Sequence, residues 1–516
     1  MKKLLIPVAS FCFMQATAQT ILTKDNSFGD KGNLLITPSA NQVDLQNHFI
    51  TADDKILFGG TVHGFNKDLY IVKTDMNGSM DVSFGNNGIR MIDPQLGANE
   101  QGGYVVERPD GKIIIAGATY NGQDDDALVM CLNADGSIDP NFGNNGMSIL
   151  PIGGNDIAVK VIVHSSKIYV GGASSVNGKY TNGFIIRLNL DGTLDQTFGS
   201  IGGIKLIDYK GREETLSDFE VLSDGSVLAI GRTRGNNDTK HYVCKLTAVG
   251  KYDTNFGTLG FLVHSEPTGV SNFQKIAVAP TGEIYIAGYY QDNNKDVAAV
   301  WSVNANGTMS NTFGGGNGKT VLNIGNNSLQ RFWAIRVLNN GKLFIGGNFK
   351  YDMKIESYPL TAMLHPDGSF DTDFYTTGYF IDSLPPNQVL VALMSVSVTA
   401  SGSVYVSGLS VDSLSDIRVL VNKFDKKSLN VANTDKSIVQ IDLYPNPARS
   451  YVFIDVKKNS KISRVNLYDL SGKLLKSLSN TNNNQYALPT MLPIGNYAIS
   501  IEFEEGTRVV KLLTIN

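Results

Sequence analysis

The sequence predicts an all-β protein: a seven-bladed β-propeller of four-stranded repeats followed by a small, Ig-like C-terminal β-sandwich. Three observations carry this. An Asp-x-x-Phe-Gly phrase returns at nearly constant spacing, an apolar strand ending in glycine returns with it, and both stop near Asp425, where a different grammar of short strands begins.

With 516 residues the chain can hold a repeat array and a further small domain. Only 18% of it is charged and it carries 53 glycines, which suits a folded strand-and-turn protein rather than a disordered one. The formal charge of -4 offers no basic surface for tracking phosphates, so nucleic acid is not an expected partner.

The opening MKKLLIPVASFCFMQATAQT sets Lys2 and Lys3 before an apolar run from Leu4 to Met14, and Ala16-Thr17-Ala18 supplies a small-residue cleavage site. Residues 1–18 are expected to be a secretory signal peptide. Losing its two lysines takes the formal charge from -4 to -6. Its apolar run, like VLVALMSVSV at 389–398, is shorter than the ~20 residues of a bilayer span, so no transmembrane segment is expected in the mature chain. Cys12 leaves with the signal. Cys131 and Cys244 lie in non-neighbouring repeats and are expected to be buried free thiols.

The repeat runs from residue 25 to 425. Its phrase reads DNSFGDKG at 25, DVSFGNNG at 81, DPNFGNNG at 139, DQTFGSIGG at 195 and DTNFGTLG at 253, with worn copies SNTFGGGNG at 310 and DTDFYTTG at 371. Phe28, Phe84, Phe142, Phe198, Phe256, Phe313 and Phe374 are separated by 56, 58, 56, 58, 57 and 61 residues, the signature of a repeat architecture. Runs such as DGKIIIAG, SSKIYVGG and NGKLFIGG are apolar on both faces and predict strands buried on both sides. A third element, as in DALVMCLNADGSID, ends in an Asn-Gly or Asp-Gly turn. With the segments before and after, each unit holds four strands. A lone sheet with two apolar faces cannot stand in water, so the units must stack radially.

In the phrase itself, Asp three residues before Phe is expected to accept backbone bonds in an Asx turn. The phenylalanine is expected to plug the seam between successive blades. Glycines after it, such as Gly143 and Gly146, allow positive φ or close approach.

This unit, with its DGK strand, its Asp-led strand (Asp68, Asp126, Asp296, Asp416) and its Asp-x-x-Phe-Gly corner, resembles the delta-60 repeat family of bacterial proteins. The resemblance implies a propeller-like fold and carries no activity. Copies six and seven depart from it at Ser310, at the residue inserted after Gly314, and at Tyr375.

A polar linker, 426–437, leads to a module at 438–516 whose short strands and turns suggest a β-sandwich. It resembles the type A C-terminal sorting domain of the type IX secretion system of the Bacteroidota. The match is carried by Tyr444, Pro445, Asn446, Pro447 and Ala448, by Leu467, Tyr468 and Asp469 with Gly472, by Gly495 and Tyr497, and by the terminal strand. The resemblance implies the type IX machinery as partner, passage across the outer membrane, and removal of the domain. The remainder would be released or held on the outer cell surface. Pro445 and Pro447 would in any sandwich stiffen the chain at an edge strand.

No catalytic or cofactor-binding residue is assigned. His48, His63, His164, His241, His264 and His365 show no paired spacing, and no Gly-x-Ser-x-Gly elbow or phosphate loop occurs. GGGNG at 314–318 is a lengthened corner. Asp124, Asp125 and Asp126 form the densest acidic cluster; calcium is the one cofactor left open there, against a solvated loop. Trp301 is expected in the core, and Trp333 is left open. The expected function is a secreted or surface binding or structural module for a glycan or protein. The alternative is an extracellular propeller enzyme acting on polysaccharide or peptide.

Overall fold

The computed structural model describes residues 20–515 apart from 40–41, 95–96, 177–179, 236–237, 267–270, 294, 326–327, 353, 429–440, 457–460, 470–473, 491 and 505–507. The signal segment, most of the linker and Gly472 lie outside the described residues. The chain divides into two compact units, Thr20–Lys427 and one holding Ser428–Asn516. Every regular element among the described residues is a strand.

Within Thr20–Lys427 the described residues form seven antiparallel sheets. The first contains Gln42–Ile50, Lys55–His63, Lys67–Asp75 and Ile89–Ile92; the second Glu100–Glu107, Ile113–Tyr120, Asp125–Leu132 and Met147–Leu150. The third contains Asp156–His164, Lys167–Val176, Tyr180–Asn189 and Ile204–Ile207; the fourth Glu213–Val221, Val227–Arg234, Thr239–Leu246 and Phe261–His264. The fifth is built from Ser271–Val278, Ile284–Asp292, Lys295–Val303 and Lys319–Val321; the sixth from Ser328–Val337, Leu343–Tyr351, Tyr358–Leu364 and Tyr379–Ile381.

The seventh closes the ring. Gln388–Val398, Val404–Asp412 and Ile417–Ser428 receive Thr20–Lys24 and Leu34–Ile36 from the start of the chain, with Leu34 opposite Val421 and Ile36 opposite Val419. The first corner phrase therefore belongs in space to the last sheet. First strands of successive sheets touch in order around the ring, and that of the seventh touches that of the first. This is a β-propeller, and pairing its two ends in one sheet closes the ring.

The glycine that closes each apolar run does not end the strand, which continues past it as Lys55–His63 does past Gly60, and it has a steric reason. An ideal Cβ on Gly60, Gly117, Gly172, Gly231, Gly288, Gly347 or Gly408 would sit 1.8–2.3 Å from a carbonyl oxygen of the neighbouring first strand. Each of those first strands carries a register shift there, spanning Gln46, Gly103, Val159, Ser217, Gln274, Trp333 and Met394. An extra residue at that point bends the strand and re-aims the side chain that follows.

The seven phenylalanines are 4% exposed or less. Each sits in a core cluster that joins its own sheet to the next: Phe84 packs with Leu57 and Ile71 of the first sheet and with Ile115 and Met130 of the second. Phe28 packs between the seventh and first sheets, and Phe374 between the sixth and seventh. The Asp before each one accepts the amide two residues on, as Asp195 does from Thr197 at 3.1 Å. Where Ser310 replaces Asp, its Oγ accepts from the amides of Thr312 at 3.4 Å and Phe313 at 3.3 Å. Tyr375, standing where other copies have glycine, takes φ 51° and stacks on Phe380, 4.1 Å between ring centres.

The corner aspartates also meet a cation, from the start of a second strand or from a third strand. Lys112 reaches Asp139 at 2.6 Å, Lys342 reaches Asp371 at 2.7 Å, and Lys167 and Arg187 both reach Asp195 at 2.9 Å. Lys73, Lys245 and Lys423, all from third strands, serve Asp81, Asp253 and Asp25. The copy with Ser310 has lost both cation positions, to Glu283 and Ser302. Within one chain the pair is kept whole or dropped whole.

The second unit is two four-stranded sheets. Ile441–Tyr444, Tyr451–Val456, Gln485–Ala487 and Asn480–Asn482 form one; Leu474–Leu478, Ile462–Tyr468, Gly495–Phe503 and Arg508–Ile515 form the other. Ile454 and Val452 of one sheet and Leu467, Ile499 and Leu513 of the other share a single apolar core, which is a sandwich.

Candidate functional site

Behind each register shift comes one side chain turned to the ring axis: Asn47, Tyr104, Lys160, Asp218, Lys275, Ala334 and Ser395. All seven line a cavity of about 470 Å³. Their types differ from sheet to sheet, whereas the seams repeat phenylalanine.

Lys160 organises the polar half of this channel. Its Nζ donates to the carbonyl of Phe219 at 2.7 Å and to Glu220 Oε1 at 2.8 Å, and lies 3.0 Å from Asp218 Oδ1. Burial alone would lower its pKa; Asp218 and Glu220 outweigh that and hold it raised. Lys275 donates to the Tyr104 hydroxyl, with its Nζ 5.1 Å from the ring centre and 3.9 Å from Asp218 Oδ1. Asp218 Oδ2 accepts the amide of Ile276 at 3.0 Å. Two ammonium groups thus face two carboxylates, and Lys160, saturated with acceptors, is held as a cation rather than poised as a nucleophile. Asn47 ties the channel wall together, its amide group exchanging two 2.9 Å bonds with the backbone of Val105. Val106, Ile162, Ile335 and Val396 supply an apolar lining beside these polar groups.

Although no histidine spacing in the sequence pairs them, His241 and His264 stand opposite each other in the fourth sheet, both against the Phe273 ring at 5.0 and 5.9 Å between centres. His48 Nδ1 lies 2.6 Å from Ser407 Oγ and His241 Nδ1 lies 2.8 Å from Ser271 Oγ, both rings buried and held near pKa 3 by burial and then by Arg336 and Arg232 respectively. Cys131 and Cys244 are free and buried. Trp301 is fully buried and donates to Glu266 at 2.9 Å. Trp333 is the shifted residue of its strand, half-buried, donating to Asn348 at 2.6 Å beside Tyr289 and Arg331.

Asp124, Asp125 and Asp126 do not converge. Asn121 donates to Asp124 at 2.6 Å and to Asp126 at 2.8 Å, and Gln101 takes Asp125 at 3.1 Å. The carboxylates that do converge are Asp68, Asp93 and Glu100, drawn from two sheets and therefore hard to find by spacing.

In the second unit the sorting-motif residues form a clip. Tyr444 stacks on Phe453 at 5.3 Å; Asn446 accepts the amide of Thr514 at 2.9 Å and donates to the carbonyl of Leu512 at 3.0 Å; and the amide of Ala448 donates to the carbonyl of Thr514 at 2.7 Å. Pro445 and Pro447, which lack an N–H, alternate with these bonded residues just past an edge strand. Leu467 is fully buried, Tyr468 takes a bond from Asn466 at 3.3 Å, and Asp469 follows directly on that strand. Gly495 opens the strand that carries Tyr497, whose hydroxyl donates to the carbonyl of Pro493 at 2.8 Å.

Residues 51–84, 108–142 and 166–198 match the beta-propeller domain of unknown function DUF5122, and residues 442–516 match the secretion system C-terminal sorting domain. The chain is a propeller with a sorting tail. That tail marks the propeller as secreted or held at the cell surface, through the type IX secretion machinery. No curated protein matches the sequence. Among solved structures, a protein of unknown function from Dyadobacter fermentans is 12% identical, covering 79% of this chain and 99% of its own, at TM-score 0.40. The Nup133 β-propeller domain of Vanderwaltozyma polyspora is 12% identical with coverages of 79% and 99% and TM-score 0.37. A subtype N10 neuraminidase-like protein of A/little yellow-shouldered bat/Guatemala is 12% identical with coverages of 77% and 99% and TM-score 0.35. No helix among the described residues is long and apolar enough to cross a membrane.

Proposed function

We propose that this exported propeller is a binding module that takes a glycan or protein ligand at its axial channel, after residues 1–18 have been removed as a signal peptide. One observation carries the reading. Seven structurally equivalent positions hold Asn47, Tyr104, Lys160, Asp218, Lys275, Ala334 and Ser395, while the positions that build the ring recur. Folding needs the recurrent residues, and a ligand is the selective reason for the divergent ones.

The channel offers both charges and an apolar wall, which suits a ligand with a hydrogen-bonding rim and an apolar face. The test is to screen the purified full chain against glycans and surface proteins, then to repeat with Lys275→Met and Tyr104→Phe. Loss of about tenfold or more in affinity, with the melting temperature kept, supports the channel as the site. Unchanged affinity in both variants moves binding elsewhere. Turnover of the captured ligand would make the propeller an extracellular enzyme instead.

A further inference from the structure

We propose that the seam between the first and second sheets holds a divalent cation, calcium by the hardness of its donors, on Asp68, Asp93 and Glu100. Asp68 lies on the third strand of the first sheet, Asp93 just past its fourth, and Glu100 opens the first strand of the second. One carboxylate oxygen from each lies within 4.8 Å of the others. Oxygens bound at 2.3–2.6 Å around one calcium ion stand at most about 5 Å apart, so the spacing fits without large rearrangement.

Glu100 points to the ligand independently of the cluster's charge. It is fully buried; one oxygen accepts from Thr119 Oγ1 at 2.9 Å, and Oε2 has no partner. A carboxylate oxygen left dry and unpaired costs free energy unless something positive meets it.

The repeat supplies its own comparison. The strand registers place Asp126, Pro151 and Asp156 at these positions in the next seam, where Asp156 Oδ2 is taken by the amides of Ile152 at 2.7 Å and Gly153 at 3.1 Å; Asp156 Oδ1, like Glu214 Oε2 one seam further on, shares the unpartnered state of Glu100 Oε2, so what sets the first seam apart is its three acids. In the seam after that the positions hold Asn182, Asp208 and Glu214, so one acid has become a neutral amide. The first seam assembles three acids, with one backbone amide, that of Gly97, 3.4 Å from Asp93 Oδ2. Asp93, exposed at the rim, gives the ion a route from solvent. All three donors are oxygen, which favours calcium over a softer transition metal.

The experiment is calorimetric titration of calcium into the chelator-treated full chain, with thermal unfolding alongside. One equivalent should bind and raise the melting temperature. Asp93→Asn, a change at an exposed side chain, and Glu100→Gln, which keeps an acceptor for Thr119, should each weaken calcium binding about tenfold or more. Glu214→Gln and Asp124→Asn should leave it unchanged. Absence of heat and of any melting shift at about 10 mM calcium, well above the weak end of extracellular sites, would overturn the site. So would equal affinity in Asp93→Asn and Glu100→Gln. An equal response to magnesium overturns the assignment to calcium.

Discussion

The amide of Gly143 donates to the carbonyl of Asp191, 2.7 Å away, and so fastens the corner of the second sheet to the Asp-Gly turn of the third. Gly85 to Asp135, Gly257 to Asn306 and Gly314 to Asp367 repeat the bond at 2.8, 2.8 and 2.9 Å. The turn glycine is what lets the sheets come so close. Gly192 has φ +86°, and a Cβ there would stand 2.8 Å from the Gly143 nitrogen and 2.9 Å from the Phe142 ring. A turn that the sequence presents as hairpin chemistry is therefore also a clamp between neighbours.

Gly192→Ala should destabilise the propeller by about 2–3 kcal/mol, through strain at positive φ and collision with the seam. Phe142→Ala should cost about 3–5 kcal/mol by emptying the same seam. Urea unfolding of both variants checks this. Losses under about 1 kcal/mol would mean that the seam is not what holds the sheets together.

A second expectation rests on the paired gain and loss of corner charges. Ser310→Asp alone should cost more than about 1 kcal/mol, because it buries a carboxylate beside Ser302 without a cation. Adding Ser302→Lys, which copies Lys73 and Lys245, should recover about 1 kcal/mol in a double-mutant cycle. Simple additivity of the two changes would show that the pairing elsewhere in the ring is incidental.

Glu214 supplies a pH test. It is fully buried, and its carboxyl is pushed up to about 7, chiefly by burial, with the Thr233 hydrogen bond opposing. A carboxyl whose folded pKa is raised favours the protonated form in the native state. Its contribution is intact below its ordinary value near 4.5 and is lost as pH rises through about 7. Glu214→Gln should therefore resemble the parent at pH 4.5 and exceed it in stability at pH 8, by up to about 3 kcal/mol. Urea midpoints at the two pH values decide it. A variant less stable at pH 8 would refute the buried neutral acid.

The sequence carried the ring because Phe142 and its equivalents must recur wherever the same seam recurs, and a period is visible without coordinates. It carried the tail for the same reason, since Asn446 and Tyr497 sit in short spaced motifs. The channel was not legible. Lys160, Asp218 and Lys275 follow register shifts in the least repetitive strand, and a shift by one residue changes which face a side chain takes. The acidic seam has no signature in spacing, because Asp68, Asp93 and Glu100 meet only after two sheets stack. The cations on the corner aspartates do leave a trace in the sequence, since Ser310, Ser302 and Glu283 change together in one copy.

The last expectation concerns the tail. Asn446 bonds both Thr514 and Leu512, so the motif that opens this domain and the strand that ends the chain form one surface. A machine that reads either reads both. Truncation after Ser437 should leave the propeller folded but retained inside the cell envelope. Asn446→Ala should destabilise the tail by about 1–2 kcal/mol, because two backbone groups of the terminal strand lose their partners, and should lower secretion in proportion. Fractionation of cells, medium and envelope measures both. A truncated chain that still reached the medium normally would show that the tail is not the address, and full secretion of a destabilised Asn446→Ala chain would separate the motif from the strand it holds.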